Sequence, residues 1–237
     1  MIVPKTAMVL AAGLGTRMRP LTDDRSKALV EVAGRTLIDH MLDRLADAGA
    51  ERAVVNVHYF ADRLAEHLAG RQRPRVIVSH ERDQLLETGG GLKLARPLTG
   101  EDPIWLANID SVWTEDGRPG LQALAEAWDP DRMDVCLLCV PLTRSMGFEG
   151  SGDFFRAEDG RLTFRNEAAS APLAYMGVQI CKPQIVDEGP EGPFSLTPIW
   201  RRLADQGRLF GAVLEGDWMH VGDPAARDEA EARLAAR

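Results

Sequence analysis

The sequence has little that would tie it to an oxidising compartment, a bilayer or a nucleic acid. Three of its 237 residues are cysteine, Cys136, Cys139 and Cys181. This odd, sparse set excludes a disulfide framework and suits a reducing cytoplasm. Cys136 and Cys139 have C-x-x-C spacing, but they stand inside the apolar run VCLLCV, where buried strand residues are expected rather than a redox or metal pair. No apolar run approaches the ~18–20 residues of a membrane span; the longest, Val135–Leu142, is strand-sized and holds Pro141. The opening MIVPKTAMVLAAG has no cleavage-like region and reads as a lead-in to a first strand, not a targeting peptide. Lys and Arg number 28 against 36 Asp and Glu, for a net charge of −8. That balance argues against non-specific binding to DNA or RNA, but leaves room for a small phosphorylated ligand held by a local basic cluster. Repeats, low-complexity tracts and obvious linkers are also missing.

What is present is an ordinary globular balance, 45% apolar and 27% charged, on a length that suits one domain over 1–237. Ala7–Ala12 is a short apolar run ending in glycines, as a buried strand would be. Gly13–Lys27 is polar, basic and glycine-bearing, and reads as a long loop. Thr36–Ala48 is amphipathic: Leu37, Ile38, Met41, Leu42 and Leu45 share a helical face, Thr36 with Asp39 resembles a capping box, and Gly49 is a stop. Strands are expected at Ala53–Val57, Val76–Val78, Ile104–Ala107 and Val135–Val140. Helices are expected from Phe60, Leu64 and Leu68 at spacing four, over Gly89–Ala95, and over Leu121–Trp128. This alternation predicts an α/β fold of Rossmann-like three-layer α/β/α type with a mostly parallel sheet. Beyond about residue 140 it weakens. Asp153–Ala157, Arg161–Phe164 and Ala174–Ile180 read as shorter, antiparallel-type strands. Thr197–Ala204 is a helix, Leu209–Leu214 a strand and Pro224–Ala236 a C-terminal helix.

The most specific signal is Leu10-Ala11-Ala12-Gly13-Leu14-Gly15-Thr16-Arg17-Met18-Arg19-Pro20-Leu21-Thr22, followed by Ser26-Lys27. Glycines directly after a strand let backbone N–H groups approach phosphate oxygens. Arg17, Arg19, Arg25 and Lys27 outnumber Asp23 and Asp24, giving the cationic cluster an anionic ligand needs. The loop is not the dinucleotide fingerprint, because Arg19 stands where its third glycine would fall, and no G-K-[ST] of a Walker loop follows. As a whole string it closely resembles the signature of the sugar-1-phosphate nucleotidyltransferases, L-A-x-G-x-G-T-R-x-x-P-L-T with a Pro-Lys pair a few residues later; Ser26 replaces that proline. The resemblance implies that Ala11, Ala12, Gly13, Gly15, Thr16 and Arg17 hold a nucleoside triphosphate, and that Arg17 and Lys27 act at the reacting phosphates.

Further segments extend the resemblance. Glu87-Thr88-Gly89-Gly90-Gly91 is similar to the family's second nucleotide loop, and as a glycine-rich helix start would leave free N–H groups at the ligand. Asn108-Ile109-Asp110 stands where the family has N-G-D. The resemblance makes Asn108 a nucleotide contact and Asp110 a catalytic Mg²⁺ ligand; Ile109 departs from the pattern. Trp218-Met219-His220-Val221-Gly222-Asp223-Pro224 is similar to W-x-D-V-G-T-P, with His220 in place of the second metal aspartate. His220 and Asp223 are therefore the two candidates for the remaining metal position. Asp223 is equally a helix N-cap before Pro224. Gly152, Asp153, Tyr175 and Gly177 lie in segments that resemble the sugar pocket, and Glu167 follows Asn166 where many relatives carry Glu-Lys. That lysine is missing, and Arg165 is the nearest cation.

The resemblance implies a nucleotide-binding half over 1–140 and a sugar-binding half over 141–237. It also implies a cytoplasmic, Mg²⁺-dependent enzyme making an NDP-sugar and pyrophosphate from an NTP and a sugar 1-phosphate. The compact chain, LETGGG and Gly-Asp-Phe most resemble the bacterial N-acetylmuramate-1-phosphate uridylyltransferases of cell-wall recycling, which favours UTP. Mannose-1-phosphate guanylyltransferases share the same loops. A nucleotide-sugar-binding regulator without catalysis is the alternative from another class, motivated by Ile109 and His220. An NAD-dependent oxidoreductase would need a different glycine loop. Oligomeric state is not written in any of these motifs.

Overall fold

A computed structural model describes residues 2–236. β1 (Thr6–Leu10) leads into the glycine loop. A short hairpin of β2 (Glu31–Val32) and β3 (Arg35–Thr36) follows, then α1 (Leu37–Asp47). The next elements alternate: β4 (Arg52–Val57), α2 (Ala61–Leu68), β5 (Arg75–His80), α3 (Glu87–Thr99) and β6 (Ile104–Asn108). Then come β7 (Ser111–Trp113), α4 (Gly120–Ala127), β8 (Val135–Pro141) and β9 (Ser145–Met146). The remainder is β10 (Phe154–Arg156), β11 (Leu162–Phe164), β12 (Leu173–Cys181), α5 (Thr197–Asp205), β13 (Leu209–Val213), β14 (Trp218–His220) and α6 (Pro224–Ala235).

Nine of these strands make one sheet that crosses both halves of the chain. β6, β1, β4 and β5 are joined in parallel, and β13 is parallel to β8. β12 lies antiparallel between β6 and β8 and also pairs antiparallel with β10. It and β11 thus run against the other strands. Strand alternation sends Ala7 and Val9 to one apolar layer and Met8 to the other; Cys136, Leu138 and Val140 part from Val135, Leu137 and Cys139 in the same way. Burial on both faces is why these strands read as continuous apolar runs. All three cysteines are free and buried, and burial pushes the Cys136 and Cys181 thiols up to about 12, so VCLLCV is packing. No helix among the described residues is long and apolar enough to cross a membrane.

α1 forms as its pattern predicts. Thr36 Oγ1 accepts the Asp39 N–H at 3.2 Å, and Ile38, Met41, Leu42 and Leu45 are buried. α2 differs. Leu64 and Leu68 are buried, but Phe60 precedes the helix in a left-handed conformation and stays exposed. The expected long loop carries two single 3-10 turns, Thr16–Met18 and Lys27–Leu29.

A second sheet was not readable from the sequence. β14 pairs antiparallel with β7, setting His220 against Ser111, and parallel with β9. This small sheet brings the end of the chain back to the C-terminal ends of β1 and β6.

Candidate active site

From β1 the chain winds outward to β4 and β5 on one side, and α3 then carries it back from β5 to β6 on the other side of β1; ligands gather beyond the carboxyl ends of strands at such a reversal. A cleft of about 570 Å³ opens there, a size suited to a small-molecule ligand. Ala11, Ala12, Gly13, Gly15, Thr16, Arg17, Lys27, Glu87, Thr88, Asn108 and Asp110, which the motifs single out, all line it. Leu10, Leu14, Asn56, Leu85, Ile109, Ser195 and Gly222 complete the lining.

Local chemistry shapes the first loop. Gly15 has φ +63°, and a Cβ there would lie 3.0 Å from both the Lys27 and Thr22 side chains. The Gly15 carbonyl accepts the Met18 N–H at 2.9 Å and the buried Thr22 hydroxyl at 2.8 Å. Ser26 has φ −62° and ψ 146°, a backbone that a proline would also adopt. Its hydroxyl accepts the Ala28 N–H at 3.3 Å and starts the turn that carries Lys27. Substituting serine for the motif's proline therefore preserves the approach of Lys27.

Lys27 Nζ donates to Asp110 Oδ2 at 2.9 Å, and His220 Nε2 lies 3.5 Å from the same oxygen. His220 Nδ1 faces the Gly147 carbonyl at 3.2 Å. The Val221 N–H donates to the Asp110 carbonyl at 2.9 Å, which fixes the approach of β14. Burial opposes the charge on Asp110, but the Lys27 ammonium and the His220 ring outweigh it and hold its carboxyl well below the usual carboxylate range. Arg17 makes no side-chain hydrogen bond or ion pair among the described residues and faces the cleft uncompensated.

Several expectations are corrected. Gly89 and Gly90 do not line the cleft. Their N–H groups both donate to the Phe194 carbonyl, at 2.8 and 3.1 Å, so they are not free for a ligand. A Cβ at Gly89 would sit 2.3 Å from the Phe194 ring, and one at Gly90 would sit 2.4 Å from the Gly192 carbonyl oxygen. These glycines admit the 192–196 strand of chain, which Thr88 Oγ1 also holds by accepting the Leu196 N–H at 3.0 Å. That strap delivers Ser195 to the cleft. Asp223 is the cap of α6: its Oδ1 accepts the Ala226 N–H at 2.9 Å, and it lies outside the cleft lining.

The expected sugar residues divide. Gly152, Asp153 and Tyr175 line a second cleft of about 270 Å³ with Arg165, Asn166, Trp200 and Arg201. The clefts adjoin at Ser195 and Thr197, whose hydroxyls are 3.2 Å apart and which line the first and second respectively. Asp153 Oδ2 accepts the Tyr175 N–H at 2.9 Å, yet burial pushes its carboxyl up. Glu167 is exposed outside this cleft. Gly177 lines neither cleft; at φ +82° it backs Asn108, where a Cβ would come within 3.2 Å of that side chain.

Among the described residues, no three His, Cys, Asp or Glu side chains form a metal cluster. Magnesium at phosphate-transfer sites, however, takes one or two carboxylates together with substrate phosphate oxygens. Asp110 supplies one such oxygen donor. His220, as a nitrogen donor, suits that hard cation less well. The residues fit an ion that is largely held by a triphosphate.

The model of the MobA-like NTP transferase domain matches residues 7–152. The chain is 60% identical over 236 residues to an N-acetylmuramate alpha-1-phosphate uridylyltransferase of Caulobacter vibrioides, covering 98% of each chain. It is 31% identical to the protein of that name from Neisseria meningitidis serogroup B, over 95% of this chain and 96% of the relative. In structure it is similar to a UDP-glucose pyrophosphorylase complexed with UDP-glucose. There the TM-score is 0.82 at 18% identity, over 99% of this chain and 100% of the other. That structural likeness speaks for the fold.

Proposed function

The chain belongs to the MobA-like NTP transferase family, as one of its sugar-1-phosphate nucleotidyltransferases, and from that premise we propose that it makes UDP-N-acetylmuramate and pyrophosphate from UTP and N-acetylmuramate 1-phosphate. The observation that carries the choice of sugar is the second cleft. Two guanidinium groups, Arg165 and Arg201, face it against one carboxylate, Asp153. N-acetylmuramate differs from glucose, mannose and N-acetylglucosamine in bearing a carboxylate, and planar guanidinium groups suit that anion. Arg201 lies over the Phe164 ring at 4.4 Å and is held by Asn166 Oδ1 at 3.1 Å, so it is oriented before any ligand arrives. The 60% identity to the Caulobacter uridylyltransferase supports the same choice of nucleotide.

The reaction needs no strong base, because the sugar phosphate is already an anionic nucleophile. One of its oxygens attacks the α-phosphorus of UTP, a new P–O bond forms, and the bond to the β-phosphate oxygen breaks with its electron pair leaving on pyrophosphate. The chain's contribution is positioning and charge. The glycine loop holds the triphosphate, while Arg17 and Lys27 neutralise negative charge on the reacting and departing groups. Asp110 keeps Lys27 in place and provides the oxygen donor for Mg²⁺, which screens phosphate charge when bound. His220 helps to fix Asp110.

The test is a competition. Equal amounts of the 1-phosphates of N-acetylmuramate, N-acetylglucosamine, mannose and glucose are offered with UTP or GTP, and products are identified by mass. UDP-N-acetylmuramate as the dominant product is expected. Dominant GDP-mannose, or indifference among the sugars, would overturn the proposal. Arg201→Ala should reduce kcat/KM for N-acetylmuramate 1-phosphate more than for N-acetylglucosamine 1-phosphate.

A further inference from the structure

Asn56 and Glu81 belong to none of the motifs, and both are almost completely buried, at 3% and 2% exposure. They form a hydrogen-bond relay between the two nucleotide loops. Asn56 Oδ1 accepts the Ala11 N–H at 2.7 Å, Asn56 Nδ2 donates to Glu81 Oε1 at 2.6 Å, and Glu81 Oε2 accepts the Leu86 N–H at 2.9 Å. Ala11 belongs to the first loop, and Leu86 immediately precedes Glu87 and Thr88 of the second. The relay's own base is fixed. The Glu81 N–H donates to the Val57 carbonyl at 3.0 Å, and the Glu81 carbonyl faces His58 Nδ1 at 2.6 Å. Gly91 brings α3 down over the contact, since a Cβ there would lie 2.8 Å from Glu81 Oε1 and 2.9 Å from Asn56 Nδ2.

The polarity of this relay is forced. A backbone N–H only donates, so both ends demand an oxygen, and the middle then needs one donor facing one acceptor. Asn56 with Glu81 meets that demand. Asn56 with glutamine at 81 sets two NH₂ groups against each other. Aspartate at 56 with Glu81 sets two carboxylates against each other. Aspartate at 56 with glutamine at 81 satisfies every group again, with the central bond reversed. Buried mismatches of this sort are costly, because neither group can turn to water.

We infer that Asn56 and Glu81 are positioning residues for the nucleotide: their relay sets the separation of the two loops, so that the cleft is shaped for the nucleoside triphosphate before it binds. The inference rests on the nucleotidyltransferase reading above. A cleft whose loops must first be drawn together binds more weakly, while the sugar-phosphate side, which the relay does not touch, is unaffected.

The experiment is calorimetric binding of UTP with Mg²⁺ to Asn56→Asp, Glu81→Gln and the double variant N56D/E81Q, with melting temperatures and the KM for the sugar 1-phosphate measured alongside. Each single variant should bind UTP at least about tenfold more weakly, with the sugar-phosphate KM within twofold of wild type. The double variant should return UTP affinity to within about threefold. Single variants that melt lower yet bind UTP as tightly as wild type would reduce the relay to a structural bond and overturn the inference. So would a folded double variant as weak as the singles. If a single variant fails to fold, the double variant alone decides by the same threefold criterion. Wild-type protein that prefers GTP would contradict the uridylyltransferase reading instead, and the comparison is then read with GTP.

Discussion

Lys27 and Asp110 stand 83 positions apart in the sequence and meet at 2.9 Å, the lysine 11% and the aspartate 22% exposed at the side chain. The glycine loop after β1 supplies one partner and the end of β6 the other, so the ion pair closes the cleft at the join of the two adjacent parallel strands. Either partner without the other leaves a largely buried charge.

Lys27→Ala and Asp110→Ala should both lose activity, and each should melt lower than wild type while remaining folded. Removal of a positioned electrostatic group commonly costs about 10²–10³ in rate. Steady-state pyrophosphate release from each purified variant, with circular dichroism as the fold control, measures this. Turnover equal to wild type in either variant would contradict its assigned role.

Gly89→Ala separates packing from ligand binding. In an exposed helix the change would gain about 1 kcal/mol in propensity. Here the new Cβ would meet the Phe194 ring at 2.3 Å and the Phe194 carbonyl oxygen at 2.9 Å. Overpacking at such a site costs about 1–3 kcal/mol. The variant should melt lower than wild type; an equal or higher melting temperature would show that the 192–196 strap yields easily.

Asp223→Ala should cost stability and spare magnesium. Losing an N-cap costs about 1 kcal/mol, and Asp223→Ser should recover most of it, because a serine hydroxyl can accept the same Ala226 N–H. The magnesium concentration for half-maximal rate is the discriminating measurement. No change is expected in either variant, whereas a rise of an order of magnitude would restore Asp223 as a metal ligand.

The parallel part of the sheet and the first loop were legible because their signals are local. A strand buried on both faces reads as an apolar run, and the loop's glycines and cations are contiguous. The structure sets His220 beside Asp110, although β7, β9 and β14 that carry it there are two or three residues long, too short for any periodicity. Gly89 and Gly90 misled because a glycine-rich helix start looks the same whether it opens to a ligand or receives another segment. Phe194, which takes their N–H groups, is about 100 residues away and bears no motif. Asn56 and Glu81 were invisible for a related reason: a buried amide facing a buried carboxylate leaves a signal only in the pairing, not in either residue alone.

Asp134 carries a pH-dependent contribution to stability. Burial opposes its charge, but hydrogen bonds from Arg208 at 2.6 Å and Lys182 at 2.7 Å prevail and hold its carboxyl below the ordinary value. A carboxyl depressed in the folded state stabilises above its unfolded pKa, about 3.9, and the stabilisation is lost as pH falls below that value. Asp134→Asn should lower the melting temperature at pH 7 by a few degrees, for an ion pair worth about 1 kcal/mol. The gap from wild type should narrow progressively below about pH 4. A gap that stays constant with pH would assign the effect to lost hydrogen bonds rather than to charge.

The most direct measurement of the central claim is pyrophosphate release by the purified wild-type protein from UTP and N-acetylmuramate 1-phosphate, with Mg²⁺ and with a chelator. The account predicts release that requires both substrates and the ion, with one UDP-sugar formed per pyrophosphate. Tight UTP binding with no pyrophosphate released under any of these conditions would contradict it.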